Sequence, residues 1–285
     1  MQELQKKTVY IQNPATVEEK IRQIVADGPD KLQVIADFDR TLTRFECNGR
    51  TILTSHGILC HSTLLPASFR EAARKLKDRY FPLETSNDIS AEERYKYMVE
   101  WWSGTNSLLV DCRVYRGDIK RMVADSGVML REGVSQTFRR CCDAGVPFLI
   151  FSGGMGDILT EVIRQFSHLL PNMHVVSNFM VFDKEEKLIG FKGDIIHTCN
   201  KHEVARHHPD YFANNKSRTN VILLGDMLGD LRMAEGFPEA KNILTVGYLN
   251  DNIEANLESY MANFDIVLVS DETFDVVNAL LQRIH

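Results

Sequence analysis

The sequence predicts an α/β protein: a mainly parallel sheet covered by helices on both faces and interrupted by a helical insertion. Three observations predict it. From Glu132 to the end, short apolar β-rich runs alternate with helical repeats, the pattern of strands buried on both faces. One further run of this kind, Leu32 to Ala36, stands alone far upstream. Between the two, from about Thr54 to Leu130, helical patterns follow one another with no convincing strand.

In chain order, Asn13-Pro14 opens a helix with Thr16 and Glu19 as capping candidates. Val17, Ile21, Ile24 and Val25 recur at helical spacing, and Gly28 stops the helix. The strand from Leu32 to Ala36 follows and delivers Asp37. The helical block comprises Phe69 to Tyr80, Ala91 to Trp102 and Ile119 to Val123. A helix from Val134 to Ala144 ends at Gly145. It leads into a buried strand from Val146 to Phe151 and a helix from Gly156 to Phe166. His174 to Ser177 is a strand, and Phe179 to Phe182 with Leu188 to Phe191 reads as a hairpin. Val221 to Leu224 is a strand and Leu228 to Glu235 a helix. Strands Ile243 to Val246 and Ile266 to Val269, with helices Ile253 to Met261 and Phe274 to Leu281, complete the set. The division this implies is a core domain of residues 1–53 and 131–285 and a helical cap domain of residues 54–130.

A formal net charge of -6 argues against a nucleic acid polymer as ligand, because phosphate backbones select basic surfaces. The N-terminus lacks the apolar stretch of a secretory signal, and the longest apolar runs are too short for a bilayer, so no membrane association is expected. The six cysteines are scattered without a CxxC pair, which suits a reduced chain. Neither Cys60-His61 nor His202, His207 and His208 make a compact ligand set. A cytoplasmic monomer is the expectation.

Four sites carry chemistry. In Asp37-Phe38-Asp39 two acids follow a buried strand, and residues two apart in extended backbone face one side. The ends of parallel strands are where open α/β sheets place their chemistry. Alone, the pair also fits a solvated acidic turn; the other three sites favour an aspartate nucleophile with a partner acid. Phe151-Ser152-Gly153-Gly154 ends a second strand in a hydroxyl and two glycines, which let backbone N–H groups approach an anion ahead of a helix N-terminus. Ser152 would hold a phosphoryl oxygen. Lys201 would neutralise phosphate and the Asp37 carboxylate. Gly225-Asp226-Met227-Leu228-Gly229-Asp230 ends a third strand in an acid, with a second one turn on. Together they can hold Mg²⁺ directly and through water. An N-cap at Asp226 with Asp230 in solvent is the alternative.

In that order these motifs resemble the haloacid dehalogenase superfamily of phosphohydrolases, and more narrowly the cytosolic 5'-nucleotidase III family. The stretches that carry the narrower resemblance include Tyr97-Met98-Val99-Glu100-Trp101-Trp102, Met129-Leu130-Arg131-Glu132-Gly133, Val175-Val176-Ser177-Asn178-Phe179-Met180 and Asp230-Leu231-Arg232-Met233-Ala234. Departures are Arg40 where the family usually has Met, Gly153 for Ala, and Met227 for Ser.

The resemblance implies Mg²⁺-dependent hydrolysis of a nucleoside 5'-monophosphate through an aspartyl-phosphate, on a Rossmann-like core with an inserted cap. Asp37 is then the nucleophile and Asp39 the acid and base. Asp37, the backbone carbonyl of Asp39, and Asp226 are the metal ligands, and Ser152, Gly153 and Lys201 the phosphate contacts. By the same resemblance Glu84 and Trp102 contact the base and Thr105 makes a nearby polar contact. The Trp101-Trp102 pair is similar to the branch acting on 7-methylguanosine monophosphate, whose cationic base would stack on indole. A pyrimidine-only enzyme acting on CMP and UMP, with phosphate transfer to a nucleoside, is the other reading, and a non-catalytic nucleotide-binding relative a third.

Overall fold

Every residue of the strand Leu32–Ala36 is buried, as is every residue of Asn220–Gly225. Runs of Val, Ile and Leu with no polar alternation can be accommodated only inside a sheet covered on both faces. The computed structural model describes residues 1–84, 88–201 and 209–284. His202, His207 and His208 lie outside these.

The strands are β1 (Val9–Tyr10), β2 (Leu32–Ala36), β3 (Glu46–Cys47), β4 (Arg50–Thr51), β5 (Phe148–Met155), β6 (Met173–Asn178), β7 (Met180–Phe182), β8 (Leu188–Phe191), β9 (Asn220–Gly225), β10 (Asn242–Leu249) and β11 (Ile266–Val269). The helices are α1 (Pro14–Asp27), α2 (Ser55–His61), α3 (Ala67–Glu84), α4 (Ala91–Asp111), α5 (Arg116–Asp125), α6 (Val134–Asp143), α7 (Gly156–Phe166), α8 (Pro209–Asn214), α9 (Ile253–Asn263) and α10 (Asp275–Ile284). Among the described residues, seven strands form one sheet in the order β1-β11-β10-β9-β2-β5-β6. All its pairings are parallel except β1 with β11.

The chain runs outward from β2 through β5 to β6, then returns to the other side of β2 for β9, β10 and β11. The strand order therefore reverses beside β2, and a crevice at the C-terminal ends of β9, β2 and β5 is the place where such sheets bind ligands. Asp226, Asp37 and Ser152 are positioned there by three hydrogen-bonded neighbours.

Several boundaries differ from the sequence reading. The cap of α1 is Asn13, whose side chain accepts from Thr16 N, rather than Thr16 or Glu19. Strand β5 starts at Phe148 rather than Val146, since Pro147 has no N–H to give a ladder. It also runs on through Met155, with a register shift after Phe151. The two glycines are thus the irregular end of a strand, not the opening of α7. Residues Leu228–Gly236 form a 3₁₀ rather than an α-helix. Helix α4 continues nine residues past Trp102, to Asp111.

Strands β1, β3 and β4 and helices α2 and α8 have no counterpart in the sequence reading. Strand β1 is a two-residue edge, too short to show a period. β3 and β4 are joined by Asn48-Gly49 with φ of 52° and 74°, an Asn-Gly turn signal that sequence reading could have used. Helix α2 is capped by Thr54, which accepts from Gly57 N.

The helices α2 to α5 all lie between β2 and β5 in the chain. Core β8 packs against α4, and α7 against α5. Arg116 at the start of α5 stacks over Phe182, 4.3 Å from the ring centre, and pairs with Glu186 at 2.6 Å. The predicted β7–β8 hairpin forms and fastens the helical block to the sheet.

Candidate active site

Asp37 follows the last residue of β2, its backbone N–H still in the sheet, donating to Leu224 O at 3.0 Å. Its side chain is 9% exposed and meets Lys201, with Oδ1 2.5 Å from Nζ. The same ammonium donates to Asp230 Oδ1 at 2.7 Å. Asp230 Oδ2 accepts the backbone N–H groups of Asp226 (3.1 Å) and Met227 (3.0 Å). Asp230 is therefore a buried anchor for Lys201 and for the loop after β9. The alternative in which it faces solvent is not what the fold adopts. Gly225 is required beside it, because a Cβ there would lie 2.5 Å from Asp230 Cβ. Tyr260 donates its hydroxyl to Asp226 O at 2.5 Å and steadies that loop from α9.

Asp37, Asp226 and Asp230 offer carboxylate oxygens within 4.8 Å of one another. Burial pushes Asp37 up to about 7 despite the adjacent Lys201. Burial, with repulsion from Asp37 and Asp230, also pushes Asp226 up. Burial alone would lower the Lys201 ammonium, but the attraction of Asp230 and Asp37 outweighs it and keeps the group charged. One ammonium among two buried carboxylates and one half-buried one leaves the cluster short of positive charge. All-oxygen donors at this spacing suit a hard divalent cation such as Mg²⁺.

Asp39 is turned to a different partner. Its Oδ1 accepts Ser55 N at 2.7 Å and its Oδ2 the Ser55 hydroxyl at 2.6 Å. Ser55 Oγ in turn accepts Met155 N at 3.2 Å. Burial raises the Asp39 carboxyl above its ordinary range, which favours a proton on it. Ser55 was not singled out in the sequence; the Thr54 cap marks its helix start, but nothing local links it to Asp39.

On β5, Ser152 is 1% exposed and its Oγ accepts Gly154 N at 3.0 Å, which leaves its O–H to donate elsewhere. Gly153 O accepts Trp102 Nε1 at 3.0 Å and Asn178 Nδ2 at 2.8 Å. A Cβ on Gly154 would run into the Ser55 hydroxyl and lie 2.9 Å from Asp39 Oδ2.

From the helical block, Trp102 is buried at the interface, its indole N–H spent on the Gly153 carbonyl. His56 meets it edge-on at 5.3 Å and Trp101 at 4.8 Å. Trp101 instead stacks towards Tyr80 and Phe81 within the block. Glu84 is hydrogen-bonded to Thr198, and burial raises its carboxyl. Thr105 is buried, but its hydroxyl donates to Trp101 O at 3.0 Å, within its own helix. The fold thus gathers Asp37, Asp226, Lys201 and Asp230 in one cluster. Asp39 joins Ser55 beside Gly154, Trp102 lies on Gly153, and Glu84 is fastened three residues before Lys201.

Against known proteins, the profile of the pyrimidine 5'-nucleotidase (UMPH-1) family matches residues 40–285. The chain belongs to this family. A relative from Gallus gallus, 7-methylguanosine phosphate-specific 5'-nucleotidase, is 46% identical over 99% of this chain and 98% of its own. The crystal structure of cytosolic 5'-nucleotidase IIIB bound to cytidine superposes with a TM-score of 0.92 at 34% identity, covering 99% of this chain and 95% of that one. A haloacid dehalogenase family hydrolase from Salmonella enterica serovar Typhi, at 12% identity, shares the fold with a TM-score of 0.52 over 95% of this chain and 82% of its own. Family membership makes the chain a phosphoric monoester hydrolase. Among the described residues, no helix is long and apolar enough to cross a membrane.

Two outcomes follow from this geometry. Gly154→Ala forces Ser55 and Asp39 apart, so kcat should fall ~100-fold with stability lowered by about 1–3 kcal/mol, read by steady-state kinetics and urea unfolding. With Asp37 raised to about 7 and Asp226 also raised in the metal-free protein, Mg²⁺ binding at pH 7 should expel at least about half a proton. A divalent cation lowers carboxylate pKa values, so apparent Mg²⁺ affinity should weaken as pH falls through 7. Titration calorimetry in two buffers of different ionisation enthalpy measures both.

Proposed function

We propose that this chain is a cytosolic, Mg²⁺-dependent 5'-nucleotidase that hydrolyses 7-methylguanosine monophosphate and CMP through an aspartyl-phosphate. The observation that carries the reading is the opposite placement of its two motif acids. Asp37 lies on the Lys201 ammonium at 2.5 Å, whereas Asp39 is held by Ser55 through both oxygens. The Lys201 ammonium favours the anion at Asp37, as a nucleophile requires; at Asp39 burial outweighs the two Ser55 hydrogen bonds and raises the carboxyl, as an acid requires, while Ser55 orients it.

Asp37 attacks phosphorus, and the P–O bond to the nucleoside breaks with its electron pair going to the leaving oxygen. Asp39 protonates that oxygen. Asp39 then takes a proton from water, which attacks the aspartyl-phosphate, releases phosphate and restores Asp37. Ser152, through its free O–H, and the Gly153 backbone hold phosphoryl oxygens, and Lys201 offsets charge. A carboxylate ~4 Å from a phosphate charge is repelled by about 4 kcal/mol per charge pair at an effective dielectric of ~20. Mg²⁺ would be held by Asp37, the Asp39 carbonyl and Asp226, and supplies the remaining charge neutralisation when bound.

The helical block, residues 54–130, acts as the cap that selects the base. Trp102 supplies an indole for a cationic base and Glu84 an anionic acceptor for its edge. Thr105 serves as a lone-pair acceptor, since its proton is used on Trp101 O. The name of the Gallus gallus relative favours 7-methylguanosine monophosphate. The cytidine in the cytosolic 5'-nucleotidase IIIB structure favours a site that also takes CMP.

A phosphate-release panel over CMP, UMP, GMP, AMP and 7-methylguanosine monophosphate, with Mg²⁺ and with EDTA, tests the reading. Asp37→Asn should leave less than roughly 1% of turnover with an unchanged thermal melt; a folded variant that retains more than a few per cent removes Asp37 as nucleophile. Trp102→Ala should raise KM for 7-methylguanosine monophosphate roughly 2- to 30-fold more than for CMP. Trp102→Phe, which keeps a ring but loses the N–H to Gly153, should show a smaller difference. Equal effects on both nucleotides would sink the stacking role.

A further inference from the structure

The chain crosses into and out of the helical block through two segments that run side by side. Arg44 N donates to Met129 O and Arg131 N to Leu42 O, both at 2.9 Å, with Thr43 and Leu130 bridged antiparallel between them. At the foot of this ribbon the Arg131 side chain is completely enclosed, and the residue is 2% exposed. A guanidinium carries five N–H donors, and here each has an acceptor. Nε donates to Thr41 O at 2.9 Å, and Nη2 to Arg40 O at 2.6 Å and Asn250 Oδ1 at 2.7 Å. Nη1 donates to Glu272 Oε2 at 2.9 Å and to Asp271 O. Tyr248 lies under the cation, 4.4 Å from its ring centre.

Two of those acceptors are the carbonyls just after the Asp37–Asp39 motif. Asn250 Nδ2 donates to the Arg40 carbonyl as well, at 3.1 Å. Arg40 itself has φ of 63°, a left-handed conformation that costs a non-glycine residue ~1–2 kcal/mol. Its N–H is fixed on Thr43 Oγ1 at 2.8 Å. The peptide that follows Asp39 is thus clamped on both sides in a strained turn, and the clamp is a buried cation. Apolar residues of similar volume would fill such a space at less desolvation cost, so rigidity alone is a poor reason for an arginine here.

We propose that Arg131 is the positioning residue for Asp39. By fixing the carbonyls of Arg40 and Thr41 it sets the direction from which Asp39 meets the leaving-group oxygen, in register with both crossings to the helical block. Arg131 touches no reacting atom. The inference rests on the reading of Asp39 as general acid.

The test compares a nucleotide with p-nitrophenyl phosphate, whose leaving group departs without a proton and so has little need of an acid. Because the base role of Asp39 on the aspartyl-phosphate is common to both substrates, the readout is the single-turnover rate of leaving-group release, and there Asp39→Asn gives the reference pattern: a large loss with nucleotide and a small one with the aryl ester. Arg131→Lys has three donors on a flexible stem and cannot reproduce the fork. Its single-turnover rate of nucleoside release should fall ~100-fold with KM for the nucleotide within roughly 3-fold, and its rate of p-nitrophenol release should fall less than about 5-fold. A merely loosened fold would depress both substrates alike, and that result, or no loss at all, overturns the proposal. If Arg131→Lys does not fold, as judged by its thermal melt, Asn250→Ala carries the test from a half-buried position. It should give the same selective loss at roughly 3- to 10-fold, and an equal loss on both substrates overturns the proposal. Should Asp39→Asn itself fail to discriminate, the acid assignment falls and this inference with it. Should Asp39→Asn discriminate while the Arg131 and Asn250 variants do not, only this inference falls.

Discussion

The contact between Lys201 and Asp37 is the constraint the rest of the site answers to. A carboxylate side chain at 9% exposure in a cluster with two others is unfavourable as an anion, and burial accordingly drives Asp37 and Asp226 towards protonation. Lys201 relieves part of that cost and is itself kept charged by the same neighbours. The remaining deficit of positive charge suits the cluster to a hard divalent cation. Buried charges that are paired but not balanced are poor devices for stability and good ones for chemistry.

The sheet supplies the precision this needs. Asp37, Ser152 and Asp226 are carried by β2, β5 and β9, which are hydrogen-bonded neighbours in fixed register. Lys201 comes from a segment outside the sheet and is seated by Asp230, whose other oxygen closes the loop after β9. Backbone ladders and one bifunctional carboxylate therefore set the spacing of the cluster, with little left to flexible side chains.

The helical block meets this rigid floor through a few polar contacts that each do two things. Ser55 opens α2 and orients Asp39, and also accepts from Met155 at the end of β5. Trp102 covers the site and holds the Gly153 carbonyl. Glu84 reaches Thr198, just before Lys201. The helical block and the strand-end cluster are thereby mechanically adjacent, with Asp39 and α2 joined through Ser55.

Local pattern carried much of this. The limits of α7, β8 and β11 and the strand identities of β2 and β9 follow from runs whose period or lack of it is a property of neighbouring residues. The acids at strand ends are legible for the same reason. Where the reading missed, the deciding force was not local. Asn13 won the α1 cap over Thr16, and Pro147 moved the start of β5. Strand β1 exists only because β11 offers it an edge. Sequence by itself determined that Asp37 and Asp226 directly follow two buried strands and that Ser152 lies late in a third, since strand burial and chain order are written in consecutive side chains. Only tertiary structure decided that Ser55 orients Asp39 across 16 positions, that Lys201 reaches Asp37 across 164, and that Asp230 seats Lys201. Those pairings are distances in space between residues remote in the chain, and no window of sequence contains both partners together with the fold that joins them.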